Sequence, residues 1–292
     1  MNTNTMNRRE FLNSGLMAAA LVTAGRLPLL SAESGDNSSI DASTGPYAVK
    51  PIRDHLSRFS PAGPPVRKNG QYGLIYDIIH WNWIRGQRGT FSNSVAGKIA
   101  IECKTDDGRV IYEISQQMQI GGVDNSLEAQ IICDTDNYNS IRKWTLNSHH
   151  TTAKGTPEPL SELTENGRCN DGQIRIESGN YEYGFIAKNP VFTQWTILDL
   201  LIRKANPSLN VTFDLLQDLS LFKPNQSLNY DGPTPLKLKD GKTVTLQTYS
   251  QIGQGILPIH YLLDDQGRPQ LITSSILSWA LSGQKSAVRS KK

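Results

Sequence analysis

The sequence predicts a mainly β protein, an antiparallel sheet with one amphipathic helix packed across its concave, apolar face. Three observations lead there. Between residues 72 and 280, apolar side chains recur at every second position in short runs. Turn signals rich in Gly, Asp and Asn separate those runs. A single stretch, residues 190–205, abandons the period of two and repeats its apolar residues at spacings of three and four.

The strands follow in order. Residues 74–84 form a β-branched and aromatic run, and Ile99, Ile101 and Cys103 alternate with Ala100 and Glu102. Asp106-Asp107-Gly108 turns the chain into a strand whose Val110, Tyr112, Ile114, Met118 and Ile120 take one face, with Glu113, Ser115, Gln117 and Gln119 on the other. Residues 128–134 and 140–148 continue the pattern around a polar turn at 134–139, which makes a five-stranded meander. Residues 149–172 read as a polar crossing loop. Ile174 and Ile176 then mark another short strand, continued at 181–187.

In the helical stretch the recurring residues are Phe192, Trp195, Leu198, Leu201 and Ile202, bounded by Asn189-Pro190 and Asn206-Pro207. Strands are expected again at 210–216, 234–239 and 242–250, the last two joined by the hairpin signal Asp240-Gly241. Residues 256–263 and 269–279 form a closing hairpin around a Gly-containing turn. One β-rich domain, residues 71–282, accounts for the pattern.

The flanks differ in kind. Arg8-Arg9-x-Phe11-Leu12, followed by a short apolar run, is the pattern of a twin-arginine export signal spanning residues 1–32. The run is too short and too interrupted to serve as a membrane anchor. The expected partner is therefore the twin-arginine translocation machinery, and the expected location is periplasmic or secreted, in soluble form. Residues 33–70 are rich in Pro, Ser and Gly and read as a flexible leader, with a short helix at 51–59. Residues 283–292 read as a basic disordered tail.

Charge excludes one class of function. The formal net charge is +3, but the first 32 residues carry +2 and the last ten +4, which leaves the body near −3. Nucleic acid demands a basic face that this body lacks. Cys103, Cys133 and Cys169 include no C-x-x-C pair, and Cys103 and Cys133 fall in phase with apolar neighbours, so buried thiols are expected.

Leu74-x-Tyr76-Asp77, Trp83-Ile84-Arg85-Gly86, Asp199-Leu200-Leu201-Ile202-Arg203 and the closing run from His260 to Arg268 together resemble exported bacterial proteins of unknown function. Those proteins have a curved antiparallel sheet similar to the half-barrels of periplasmic lipoprotein carriers. The resemblance implies an open or half barrel with an apolar interior, and it supplies no catalytic residues.

No residue pattern names a reaction. There is no G-x-S-x-G elbow, no phosphate-binding glycine loop and no cofactor motif. Adjacent His149 and His150 suit a surface turn, and the acidic pairs sit at turn positions, where Asp bonds to the backbone. The sequence therefore points to a noncatalytic module for an apolar or lipid-like ligand. Trp83, Tyr112, Trp195, Leu198 and His260 are the residues expected to line it. The alternatives are a structural or assembly partner in the cell envelope and a hydrolase acting on envelope polymers; the hydrolase requires His80 or His260 beside a carboxylate or a Ser.

Overall fold

A computed structural model describes residues 40–41, 50–57, 71–83, 91–120, 123–152, 162–238, 240–274 and 277–284. The export-signal residues Arg8, Arg9, Phe11 and Leu12, the basic tail from residue 285 onward, and most of the leader lie outside them.

The described residues begin with β1 (Ile40–Asp41) and α1 (Lys50–Ser57). The expected meander follows as β2 (Tyr72–Trp83), β3 (Phe91–Asp106), β4 (Arg109–Ile120), β5 (Val123–Asp134) and β6 (Ile141–Thr152). Next come β7 (Leu163–Asn170), β8 (Gln173–Ser178), β9 (Tyr181–Ile186), β10 (Val191–Phe192), α2 (Thr196–Lys204) and β11 (Asn210–Gln217). The described residues finish with β12 (Leu221–Lys237), β13 (Thr243–Ile252), β14 (Ile259–Leu263), β15 (Pro269–Thr273) and β16 (Leu277–Gln284).

All sixteen strands belong to one open sheet. Its order is β10-β11-β12-β13-β14-β15-β16-β2-β3-β4-β5-β6-β7-β8-β9, with β1 beside β12. The last strand thus pairs with β2, and the two ends of the order, β9 and β10, are neighbours in the chain. Every pairing is antiparallel except β10 with β11 and β1 with β12.

Alternation explains why the strands form where they do. On β5 the side chains from Leu127 to Cys133 are buried at every second position, and Glu128 and Gln130 face outward. One buried cluster takes Tyr72, Leu74, Tyr76 and Ile78 of β2, Ile99, Ile101 and Cys103 of β3, Tyr112 and Ile114 of β4, and the apolar side chains of α2. A second cluster occupies the other face of the central strands, where Ile79, Leu236, Leu246, Leu262 and Leu271 meet Ile52 and Leu56 of α1. β15 is buried along its whole length because Leu271 enters one cluster and Ile272 the other. Ile52 and Leu56 are fully buried, one helical turn apart, inside the segment read from composition as a flexible leader.

Several elements differ from expectation. Residues 163–170, assigned to a crossing loop, form β7. Its inward positions include Glu165 and Gly167, and these hide the alternation. His149 and His150 lie on β6, opposite Ser126 and Asn125, and not in a turn. β12 runs for 17 residues through Pro224, Pro233 and Pro235, of which only the end was expected as strand. The run 269–279 divides into β15 and β16. α2 starts at Thr196 and not at 190, because Val191 and Phe192 pair with Asp214 and Leu215 of β11. The hairpin at Asp240-Gly241 is present: Gly241 takes φ +81°, and Leu238 N–H donates to the Lys242 carbonyl at 2.7 Å.

Asp214 ties the entry to β10. Its carboxylate accepts the Lys188 and Asn189 amides at 2.8 and 3.1 Å, the Asn189 side chain at 3.0 Å and the Asn225 amide at 2.9 Å. Burial opposes ionisation of Asp214, but the hydrogen bonds outweigh it and hold the pKa below the usual carboxylate value.

Candidate functional site

The chain enters α2 through Thr193, whose hydroxyl accepts the Trp195 and Thr196 amides at 3.2 and 3.1 Å. From Thr196 to Leu201 every residue of α2 is buried. A helix buried all round must satisfy any polar group it carries within the core. Asp199, with a fully buried side chain, does so by accepting Arg203 Nε at 2.6 Å one turn later.

The remaining bonds join α2 to the sheet. The turn between β5 and β6 is shaped by Asp136, which accepts the Tyr138 amide, the Ser140 amide and the Ser140 hydroxyl at 3.0, 2.9 and 2.6 Å. That turn places Asn139 at φ +51°. Asn139 Nδ2 donates to Asp199 Oδ2 at 2.8 Å and to the Tyr112 hydroxyl at 3.0 Å. Arg203 Nη1 donates to the Asn137 carbonyl at 3.2 Å, Lys204 bonds the Asn137 side chain, and the Lys204 ammonium lies 5.2 Å above the Tyr138 ring. Cys103 Sγ lies 3.9 Å from Asp199 Oδ1. The C-terminal half of α2 is therefore held to β3, β4 and the β5–β6 turn by a polar clasp set in apolar surroundings.

Burial, and then the charge of Asp199, push the phenols of Tyr72 and Tyr112 well above their usual pKa. The same two effects raise the thiol of Cys133. These groups stay protonated at neutral pH and present hydrogen-bond donors to the junction. Cys103, Cys133 and Cys169 are all buried, as the alternation of the first two requires.

The structure brings three of the five expected ligand-lining residues together. Tyr112, Trp195 and Leu198 are at most 1% exposed and share the larger cluster. Trp83 ends β2, and its side chain lies outside the described residues. His260 belongs elsewhere: on β14 it shares a face with Leu262 of the smaller cluster, whereas Tyr261 points into the larger one.

His260 does lie near a carboxylate and a serine. Its Nδ1 is 3.8 Å from Asp231 Oδ2, and Ser250, directly across from His260, donates its hydroxyl to Asp231 Oδ1 at 2.9 Å. The carboxylate therefore sits between the other two groups. Nucleophilic catalysis needs the imidazole to receive the hydroxyl proton, and here that proton is directed to Asp231. Thr273, opposite His260 on its other side, shares a hydrogen bond with Ser278 at 2.7 Å and extends a polar row along this face.

On the outward face of β3–β6 there is a depression of about 320 Å³ lined by Glu102, Glu113, Glu128, Gln130, Thr145 and Asn147. Lys104 already engages Glu113 at 2.5 Å. Among the described residues, no three His, Cys, Asp or Glu side chains are grouped to hold a metal ion. No described helix is long and apolar enough to cross a membrane.

Asp199, Arg203 and Asn139 were not expected as site residues. The sequence signal for the first two is an acid and a base four residues apart on an otherwise apolar helix. For Asn139 there is none, since only the tertiary arrangement carries it to α2.

No protein-family model and no curated protein matches the chain. Among solved structures, the chain is similar to a crystal structure of a DUF1089 family protein from Pseudomonas aeruginosa, with 10% identity and a TM-score of 0.36. That match covers 65% of this chain and 95% of the other.

Proposed function

We propose that the protein is a noncatalytic binding module that takes an apolar or lipid-like ligand between α2 and the sheet. The observation that carries this reading is the connection between β9 and β10. These are the two ends of the sheet order, yet only residues 187–190 separate them. In a flat sheet of this width, strands about 4.8 Å apart would set the ends roughly 67 Å from each other. The connecting chain reaches about 17 Å. The sheet must therefore roll until its ends approach, and contacts across the gap agree. Phe185 of β9 stacks on Phe222 of β12 at 5.1 Å, and Tyr183 and Ser220 both bond Glu165 of β7.

A rolled sheet has one concave face. On this reading the concave face is the one α2 crosses, which is supported by the buried cluster that α2 shares with β2–β8. The hollow is then apolar, plugged by a nine-residue helix and fastened at one end by the Asp199 clasp. Buried ionic clasps contribute less stability than apolar packing of equal volume. Fastening of this kind suits a helix that yields to a guest. Export through the twin-arginine machinery, inferred from Arg8, Arg9, Phe11 and Leu12, fits a carrier or sensor of envelope lipids. A second reading, an assembly partner in the envelope, draws on Tyr181 and Ile186 of the end strand β9, which are 79% and 75% exposed.

Titration with a fluorescent long-chain acyl probe tests the proposal. Saturable binding at one equivalent, reversed by unlabelled lipid, is expected. A linear, unsaturable signal contradicts it and leaves the assembly reading.

A further inference from the structure

The chemical class of the ligand follows from the polar atoms that surround α2 without partners, and this inference rests on the binding reading above. On β2–β7 and α2, four buried polar atoms have no hydrogen-bond partner among the described residues: Tyr72 Oη, Trp144 Nε1, Trp195 Nε1 and Arg203 Nη2. Tyr72, Trp144 and Trp195 are 5%, 1% and 1% exposed. Water does not reach them freely, and a buried donor left unpaired is costly.

All four are donors. Indole and guanidinium nitrogens have no acceptor capacity, and the Tyr72 phenol keeps its proton because burial and the nearby Asp199 charge both disfavour its loss. Their placement is ordered too. Tyr72, Cys103, Tyr112, Ile131, Trp144 and Gly167 stand directly opposite one another, strand by strand, from β2 to β7. The row puts Tyr72 and Trp144 about 19 Å apart, with apolar or bonded side chains between them. α2 brings Trp195 and Arg203 to the same cluster and its polar clasp.

These four donors lack acceptors. A hydrocarbon supplies none, whereas ester, amide and ether oxygens do. Charge narrows the class further. Arg203 already holds Asp199 at 2.6 Å and Lys204 is turned to Asn137 and the Tyr138 ring, so a carboxylate guest beside these donors would lie against Asp199. We propose that the ligand beneath α2 is an uncharged long-chain molecule of the acyl-ester class, whose oxygens accept hydrogen bonds from Tyr72 and Trp195.

The test uses three probes of equal chain length below their aggregation limits: monolauroylglycerol, laurate and dodecane. They are titrated into the full chain and into the Tyr72→Phe and Trp195→Phe variants at neutral pH. The ester is expected to bind about tenfold tighter than either of the other probes. Each substitution should weaken ester binding about tenfold and leave dodecane within about twofold. Tyr72→Phe, which deletes only the unpaired hydroxyl, should leave the thermal midpoint of the unliganded protein unchanged or higher. It serves alone if Trp195→Phe perturbs folding. Laurate binding tightest, ester and alkane binding alike, or a substitution weakening all three probes equally would overturn the acyl-ester assignment and leave the apolar reading standing. If none of the three binds, the binding reading itself fails.

Discussion

Replacing Asp199 with Leu lowers the stability of the protein by about 3 kcal/mol, the cost of leaving a largely buried charge without its partner. The side chains of Asp199 and Arg203 are 0% and 16% exposed, so Arg203 cannot recover full hydration when the carboxylate is gone. Asn139 loses its acceptor at the same time, although its bond to Tyr112 survives. The double replacement Asp199→Leu with Arg203→Met should recover most of the loss, because an apolar pair of similar volume removes both charges together. Denaturant unfolding of the two variants and the parent gives the comparison. A single-variant loss below about 1 kcal/mol would mean that the clasp is as well solvated as a surface pair.

The second large effect lies at Gly167. A side chain there would run into the indole ring of Trp144, the residue directly opposite on β6, and Trp144 is 1% exposed. Gly167→Val should cost about 2–3 kcal/mol through overpacking. The cause can be isolated, because Trp144→Leu opens the space that valine requires. The double variant should then be more stable than the sum of the single losses predicts, by at least about 1 kcal/mol. Strict additivity would show that Gly167 matters for its backbone and not for the room it leaves.

Gly167 also explains where the sequence stopped being legible. β2–β6 could be read because most of their inward positions carry apolar residues, among them Tyr76, Ile101, Tyr112, Ile131 and Leu146. β7 places Glu165 and Gly167 at inward positions, one bonded to Tyr183 and Ser220 and the other overlaid by Trp144. Both roles depend on partners distant in the chain, and residue type alone reveals neither. β12 was hidden by its prolines. Its register shifts between Tyr230 and Gly232 and pairs Pro233 and Pro235 with Gln247 and Thr245. The helix was found from its apolar spacing, though not its first residue, because the parallel pairing of Val191 and Phe192 with β11 leaves no local signature. For the site, the spacing of Tyr112, Trp195 and Leu198 was enough to place them in the interior. His260 lies apart from the other three because alternation assigns a residue to a face but cannot tell which of two buried faces it is, and the central strands of this sheet bury both.

A guest that enters beneath α2 must change the protection of that helix. Amide hydrogen exchange with and without saturating monolauroylglycerol measures that change directly. Protection is expected to change at residues 196–204 and in the turn at 136–140, while α1 at Lys50–Ser57, on the other face, is unaffected. Binding that leaves residues 196–204 as they were and alters exchange at α1 would contradict entry beneath α2.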